Sequence, residues 1–180
     1  MNAIPTELPD VIIVEPKVFG DSRGFFFEAF RADSFAAAGL PTEWKQDNIS
    51  RSQKNVLRGL HFQLTQPQGK LVRCLRGAIY DVAVDVRRSS PTFGKWVGVE
   101  LSEENRRALY VPIGFAHGFC VLSDLADVEY KCTDLYAPQN ERSLIWNDPT
   151  VGVKWPLTGE AILSPKDLLA KPLGELECYE

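Results

Sequence analysis

"AIYDVAVDVR", running from Ala78 to Arg87, alternates side-chain character along its whole length. A period of two is the signature of a β-strand, whose successive side chains point to opposite faces. Tyr80, Val82, Val84 and Val86 share one face, and Asp81, Ala83 and Asp85 share the other. Two acids on one face read either as a solvated outer surface or as the lining of a polar cavity, and the scarcity of buried carboxylates favours the first. Just upstream, "KLVRCLRG" (70 to 77) sets Lys70, Val72 and Cys74 against Leu71, Arg73 and Leu75.

Outward from this pair the same kind of run recurs: "VIIVEPKVF", "GFFFEAF", "VLRGLHFQL", "KWVGVEL", "ALYVP", "HGFCVL" and "VEYKCTDLY". Turn-forming Gly, Pro, Asp, Asn and Ser punctuate them. The early helical candidate is "RADSFAAAG", with Asp33 or Ser34 as N-cap and Gly39 as the stop. Helices do not alternate with strands, so a doubly wound parallel sheet is not expected, and the count of short strands fits an all-β antiparallel sandwich or jelly roll. From Asn147 the chain turns proline-rich and irregular, with a short helix expected from Pro165 to Ala170. It reads as a tail wrapped on the barrel within one domain, 1–180, a length that suffices for one sizeable core.

With 44% hydrophobic and 24% charged residues, the composition is that of a soluble globular protein. A net charge of −4 gives no general pull toward nucleic acid or an anionic membrane. The opening "MNAIPTELPD" is not a basic stretch followed by an apolar one, and no apolar run reaches the roughly 18 residues that span a bilayer. The cytoplasm is the expected location. Two histidines in separate strands and four scattered cysteines without CxxC spacing give no ordinary metal-ligand pattern, and the cysteines read as small buried hydrophobes.

One of those histidines lies in "VLRGLHFQL", Val56 to Leu64. Alternation groups Gly59, His61 and Gln63 against Arg58, Leu60, Phe62 and Leu64. For Arg58 and His61 to face one pocket the strand must be irregular between them, and Gly59 is where a bulge can reconcile them.

Taken in order, "DSRGFFFEAF", "QDNISRS", "VLRGLHFQ", "GKLVRCLRGAIYDVAVDVRRSSPTFG", "YVPIGFAHGFCVL", "VEYKCTDLY", "IWNDP" and "LSPKD" resemble the dTDP-4-dehydrorhamnose 3,5-epimerase family, from Asp21 to Asp167. The resemblance implies a cupin-type jelly roll that inverts C3 and C5 of a dTDP-4-keto-6-deoxyhexose with no metal or other cofactor. Both carbons flank the C4 ketone, so deprotonation gives an enolate. The chemistry requires a base, a group stabilising O4 and an acid on the other face of the sugar.

By that resemblance His61 is the base, Asp167 its partner, Tyr130 the opposed acid and Lys70 the cation beside O4, while Asp81 orients Lys70 or His61 from behind. Arg23 and Arg58 match diphosphate contacts, as planar, always-charged guanidinium groups. Gln46, Asp47 and Asn48 match the nucleotide-binding segment, and Glu28, His117, Glu141 and Lys166 match further substrate contacts. Tyr136 and Phe26 are candidates for stacking on thymine. The resemblance also implies a homodimer with exchanged first strands, so that residues near Arg23 and Glu28 serve the neighbour's site. An apolar "GFFFEAF" left at an exposed edge would be hazardous, which agrees with dimerisation. Single-centre epimerases, ketoisomerases on related sugars and a non-catalytic nucleotide-sugar-binding cupin are the alternatives.

Overall fold

The computed structural model describes all 180 residues. Two antiparallel sheets face each other. One contains, in spatial order, β1 (Asn2–Pro5), β2 (Ile12–Glu15), β10 (Ala108–Val111), β7 (Lys70–Arg76), β12 (Leu125–Cys132) and β5 (Gln46–Gln53). The other contains β13 (Glu141–Ser143), β6 (Leu57–Gln63), β11 (Phe115–Val121), β8 (Ala78–Asp85) and β9 (Trp96–Ser102). A separate hairpin pairs β3 (Val18–Asp21) with β4 (Gly24–Phe27). This is the expected all-β jelly roll of cupin type.

The consecutive strands β7 and β8 lie in different sheets, and the crossing is made at Gly77. Its φ is +74°, and a Cβ there would stand 2.1 Å from the Leu125 carbonyl oxygen. Only glycine fits such a turn.

Alternation along the strands builds three apolar layers. Val72, Cys74, Leu109 and Val128 from the six-stranded sheet meet Ile79, Ala83, Leu101 and Phe119 from the five-stranded one. The opposite face of the five-stranded sheet, with Val82, Val84 and Val86, is covered by Leu144, Val151, Leu173, Leu176 and Cys178. The tail is thus wrapped on the barrel as expected. Outside the six-stranded sheet, Val14 and Leu71 pack on Phe35 of α1 (Ala32–Ala37) and on Leu40. All four cysteines are free and buried. No helix is long and apolar enough to cross a membrane.

Several local expectations are corrected. "VIIVEPKVF" is two strands in different sheets, β2 and β3, because Pro16 lacks the N–H a ladder needs. The residue capping α1 is Arg31 in an extended conformation, with no side-chain cap, while Asp33 sits in the first turn and is bonded by Arg31. Gly39, at φ +71°, does end that helix. The late helix, α2, is shorter than expected, Pro165–Leu168, with Ser164 as its N-cap. β1, β5 and β13 were not legible as strands.

The acids of β8 are the largest correction. Asp81 and Asp85 are both fully buried, not solvated. Asp85 is gripped by Arg87 at 2.7 and 3.0 Å and by the hydroxyls of Ser90 and Thr92 at 2.7 and 2.6 Å. These bonds outweigh burial and hold its pKa down at about 2.

Candidate active site

Between the sheets lies a cavity of about 420 Å³. β5 delivers Gln46, Asn48 and Ser50 to it, β7 delivers Lys70 and β12 delivers Tyr130. From the opposite sheet β6 presents Arg58 and His61, and β11 presents His117 and Phe119. Gln68, Tyr136, Glu141, Ser164, Lys166 and Asp167 complete the wall.

Arg58 and His61 both reach the cavity because β6 bulges between them. His61 pairs with His117 and Arg58 with Phe119, so three steps along β6 are matched to two along β11. The extra residue is accommodated at Gly59, whose φ is +114°. A Cβ on Gly59 would meet Gly118 Cα at 2.6 Å, and one on Gly118 would meet the Arg58 carbonyl at 2.5 Å. Paired glycines let the two backbones approach where the site is built.

His61 Nε2 lies 2.6 Å from Asp167 Oδ1. Asp167 is 3% exposed and is fixed by the start of α2: the Ser164 hydroxyl donates to its Oδ2 at 2.7 Å and accepts its backbone N–H at 3.2 Å. "SPKD" therefore uses its serine both as helix cap and as a carboxylate anchor. Burial pushes the imidazole pKa below 6.5, opposed by Asp167 and aided by Lys166 and Lys70. The ring is neutral at pH 7, with a lone pair available. Burial would raise the Asp167 carboxyl, but the bonds from His61 and Ser164 outweigh it and hold the group ionised.

Tyr130 stands on the facing sheet, where burial raises its phenol pKa above 10.0 and keeps it protonated. Lys70, in the cavity wall, donates to the His61 carbonyl oxygen at 3.4 Å, and burial lowers its pKa. A second imidazole–carboxylate pair lies deeper: His117 Nε2 is 2.7 Å from Asp81 Oδ1. Burial raises the Asp81 pKa, and its Oδ2 has no partner. Asp81 thus holds His117, which lies diagonally across from it on the adjacent β11, rather than bonding Lys70 or His61.

At the mouth, the Tyr136 hydroxyl donates to Glu141 Oε2 at 3.1 Å, and Lys166 Nζ donates to the same oxygen at 2.7 Å. The Gln46 side chain accepts the Tyr136 N–H at 2.8 Å and donates to Asn48 Oδ1 at 2.9 Å. Asp47 is not brought to the cavity. Alternation in β5 turns it outward, where Lys131 bonds it at 2.7 Å. Arg23, Phe26 and Glu28 are also absent from this chain's own cavity. Arg23 is exposed on the β3–β4 hairpin and paired with Asp21 at 2.6 Å, Phe26 is 65% exposed, and Glu28 faces Arg31 at 3.4 Å.

Ser50, Gln68, Phe119 and Ser164 line the cavity without having been anticipated. The face shared by Gln46, Asn48 and Ser50 in "QDNIS" was the available signal for the first, and the cap position in "SPKD" for the last.

The sequence model of the dTDP-4-dehydrorhamnose 3,5-epimerase family matches residues 5–175. A dTDP-4-dehydrorhamnose 3,5-epimerase from Pseudomonas aeruginosa is 53% identical over 180 residues, covering 99% of each chain. The crystal structure of the Legionella pneumophila dTDP-6-deoxy-D-glucose-3,5-epimerase in complex with dTDP-4-keto-L-rhamnose superposes with a TM-score of 0.95 at 52% identity, covering 99% of this chain and 98% of that one. ChmJ of Streptomyces bikiniensis, a 3'-monoepimerase solved with dTDP-quinovose, gives a TM-score of 0.89 at 38% identity, covering 94% and 87%.

Proposed function

The chain belongs to the dTDP-4-dehydrorhamnose 3,5-epimerase family of isomerases, and from that premise we propose that it inverts C3 and C5 of dTDP-4-keto-6-deoxyglucose, giving dTDP-4-keto-L-rhamnose. One observation carries the reading: a neutral, carboxylate-held imidazole and a protonated phenol reach the same cavity from opposite sheets.

His61 takes the proton from the carbon next to the ketone, and the bonding pair moves into the ring to form an enolate whose charge gathers on O4. Asp167 fixes the imidazole and stabilises the imidazolium that results. Lys70, a part-buried donor in the cavity wall, bonds O4 as that charge develops. Tyr130 delivers a proton to the opposite face, which inverts the centre; the phenolate then recovers a proton from solvent and the His61 imidazolium releases one to it, so both groups are reset. A second cycle at the other carbon completes the reaction. All of the chemistry is proton transfer by these side chains, with no cofactor required.

Arg58 binds the diphosphate, with Gln46, Asn48, Glu141, Lys166 and His117 as further substrate contacts, and Tyr136 is the platform for the thymine ring. The working form is a homodimer in which the β3–β4 hairpin, carrying Arg23, Phe26 and Glu28, reaches the neighbour's cavity. Two facts support this: the hairpin belongs to neither large sheet, and its aromatic residues Phe19 and Phe26 are 52% and 65% exposed.

The 38% identity to a 3'-monoepimerase supports a second reading, inversion at C3 alone. Proton NMR of dTDP-4-keto-6-deoxyglucose turned over in heavy water separates them. Deuterium at both C3 and C5 is expected; deuterium at C3 alone selects the second reading, and any other pattern overturns both.

A further inference from the structure

We infer that Gln63 is a positioning residue for nucleotide binding: its buried amide brackets Tyr136 and ties that ring to the strand that carries His61. Gln63 follows His61 by two residues on β6, so both point to the same face. It is 3% exposed, yet it lies outside the cavity wall. Its amide is spent on the loop at the mouth instead. Oε1 accepts the Ala137 N–H at 2.7 Å, and Nε2 donates to the Leu135 carbonyl at 3.2 Å and to the Gln66 carbonyl at 2.7 Å.

The two loop contacts fall on the residues immediately before and after Tyr136. With Gln46 accepting the Tyr136 N–H, three successive residues of the loop are held by two side-chain amides. The platform itself needs such support. Tyr136 is 49% exposed, so packing alone does not fix it, and a stacking surface gains affinity when it is ordered before the ligand arrives. An amide is the suitable group because one residue must both accept an N–H and donate to a carbonyl. A carboxylate at this place keeps the first bond and loses the donors, leaving two carbonyls facing a negative charge.

This inference rests on the reading of Tyr136 as the nucleotide-base platform, and the experiment tests the two separately. Gln63→Glu, Gln63→Leu, Tyr136→Ala and the Gln63→Leu/Tyr136→Ala double variant are compared with wild type for dTDP affinity by calorimetry and for kcat and KM. Tyr136→Ala is expected to weaken dTDP roughly tenfold, as loss of a stacked ring does. Gln63→Glu and Gln63→Leu are expected to raise Kd and KM by roughly five- to tenfold, the size of one or two hydrogen bonds, with kcat within about twofold. The double variant is expected to bind no worse than Tyr136→Ala alone, because Gln63 acts only through that ring. If one Gln63 variant does not fold, the other still reports Kd.

Unchanged affinity in Tyr136→Ala overturns the platform reading and this inference with it. Weakened affinity in Tyr136→Ala beside unchanged affinity in the folded Gln63 variants overturns the inference alone, as does a kcat loss without a change in Kd or a double variant whose losses add.

Discussion

Asp81 and Asp85 lie four residues apart on one strand, point to the same face and are equally inaccessible to water, yet their surroundings are opposite. Asp85 ends in a closed knot where Arg87, Ser90 and Thr92 satisfy both oxygens, and its pKa is held at about 2. Asp81 lies behind the cavity with one oxygen on His117 and the other on nothing, and burial raises its pKa. Burial alone therefore does not describe these two acids. Satisfaction separates them: the saturated Asp85 stabilises the fold, whereas Asp81 keeps an unpaired oxygen, at a cost in stability, behind the cavity.

Substitution at the knot is expected to have the largest effect on stability. Asp85→Ala should lower the unfolding free energy by about 2 to 3 kcal/mol in urea, since it removes the charge-assisted bonds from Arg87 and the shared acceptor of the Ser90 and Thr92 hydroxyls, while the folded fraction keeps its specific activity. Because the folded pKa is depressed, the contribution of Asp85 is present above its unfolded value of 3.8 and is lost as pH falls through about 2. The gap between wild type and variant should close across that window. A gap independent of pH would mean that packing, not charge, accounts for the knot.

At the cavity the losses should appear in binding and turnover instead. Arg58→Ala is expected to weaken dTDP binding by about 1.5 to 3 kcal/mol, roughly tenfold to a hundredfold, without lowering the melting temperature. Asp81→Asn sharpens the contrast with Asp85. The amide oxygen still accepts from His117 and no buried charge remains, so stability should change by less than about 1 kcal/mol while kcat/KM falls by about tenfold. A stability loss matching that of Asp85→Ala would erase the distinction.

The pH profile carries a smaller effect with a definite sign. Burial lowers the His61 pKa, so the acid limb of kcat/KM should lie below pH 6.5. Asp167 raises that pKa, so Asp167→Asn should move the limb lower still, along with reducing the rate. Movement upward would contradict the assignment. Exhaustive chelation is expected to have no effect, since two histidines and four cysteines without paired spacing give no ordinary metal-ligand pattern and the proposed chemistry needs only proton transfer.

The same contrast explains what the sequence disclosed. β7 and β8 were legible because an apolar core on one side imposes alternation. β5 was not, because "QDNISRSQ" is polar on both faces: Gln46, Asn48 and Ser50 turn to a polar cavity while Asp47 and Arg51 turn outward. The bulge at Gly59 could be anticipated from the conflict between Arg58 and His61. Partners distant in sequence could not be read from spacing: His61 and Asp167 are 106 residues apart and were joined only through the family resemblance, and the bond from Asp81 to His117 was missed.

Solvent deuterium exchange at C3 and C5, measured in His61→Ala beside Tyr130→Phe, tests the division of labour between the two sheets most directly. General acid and base groups each contribute about a hundredfold to ten-thousandfold, so both losses are within range. His61→Ala should lose exchange and epimerisation together, because no enolate forms. Tyr130→Phe should lose net inversion but keep exchange, because His61 still removes a proton and a labelled one returns on the same face. Exchange at the wild-type rate in His61→Ala would contradict the assignment, and would make that histidine part of the strand's packing.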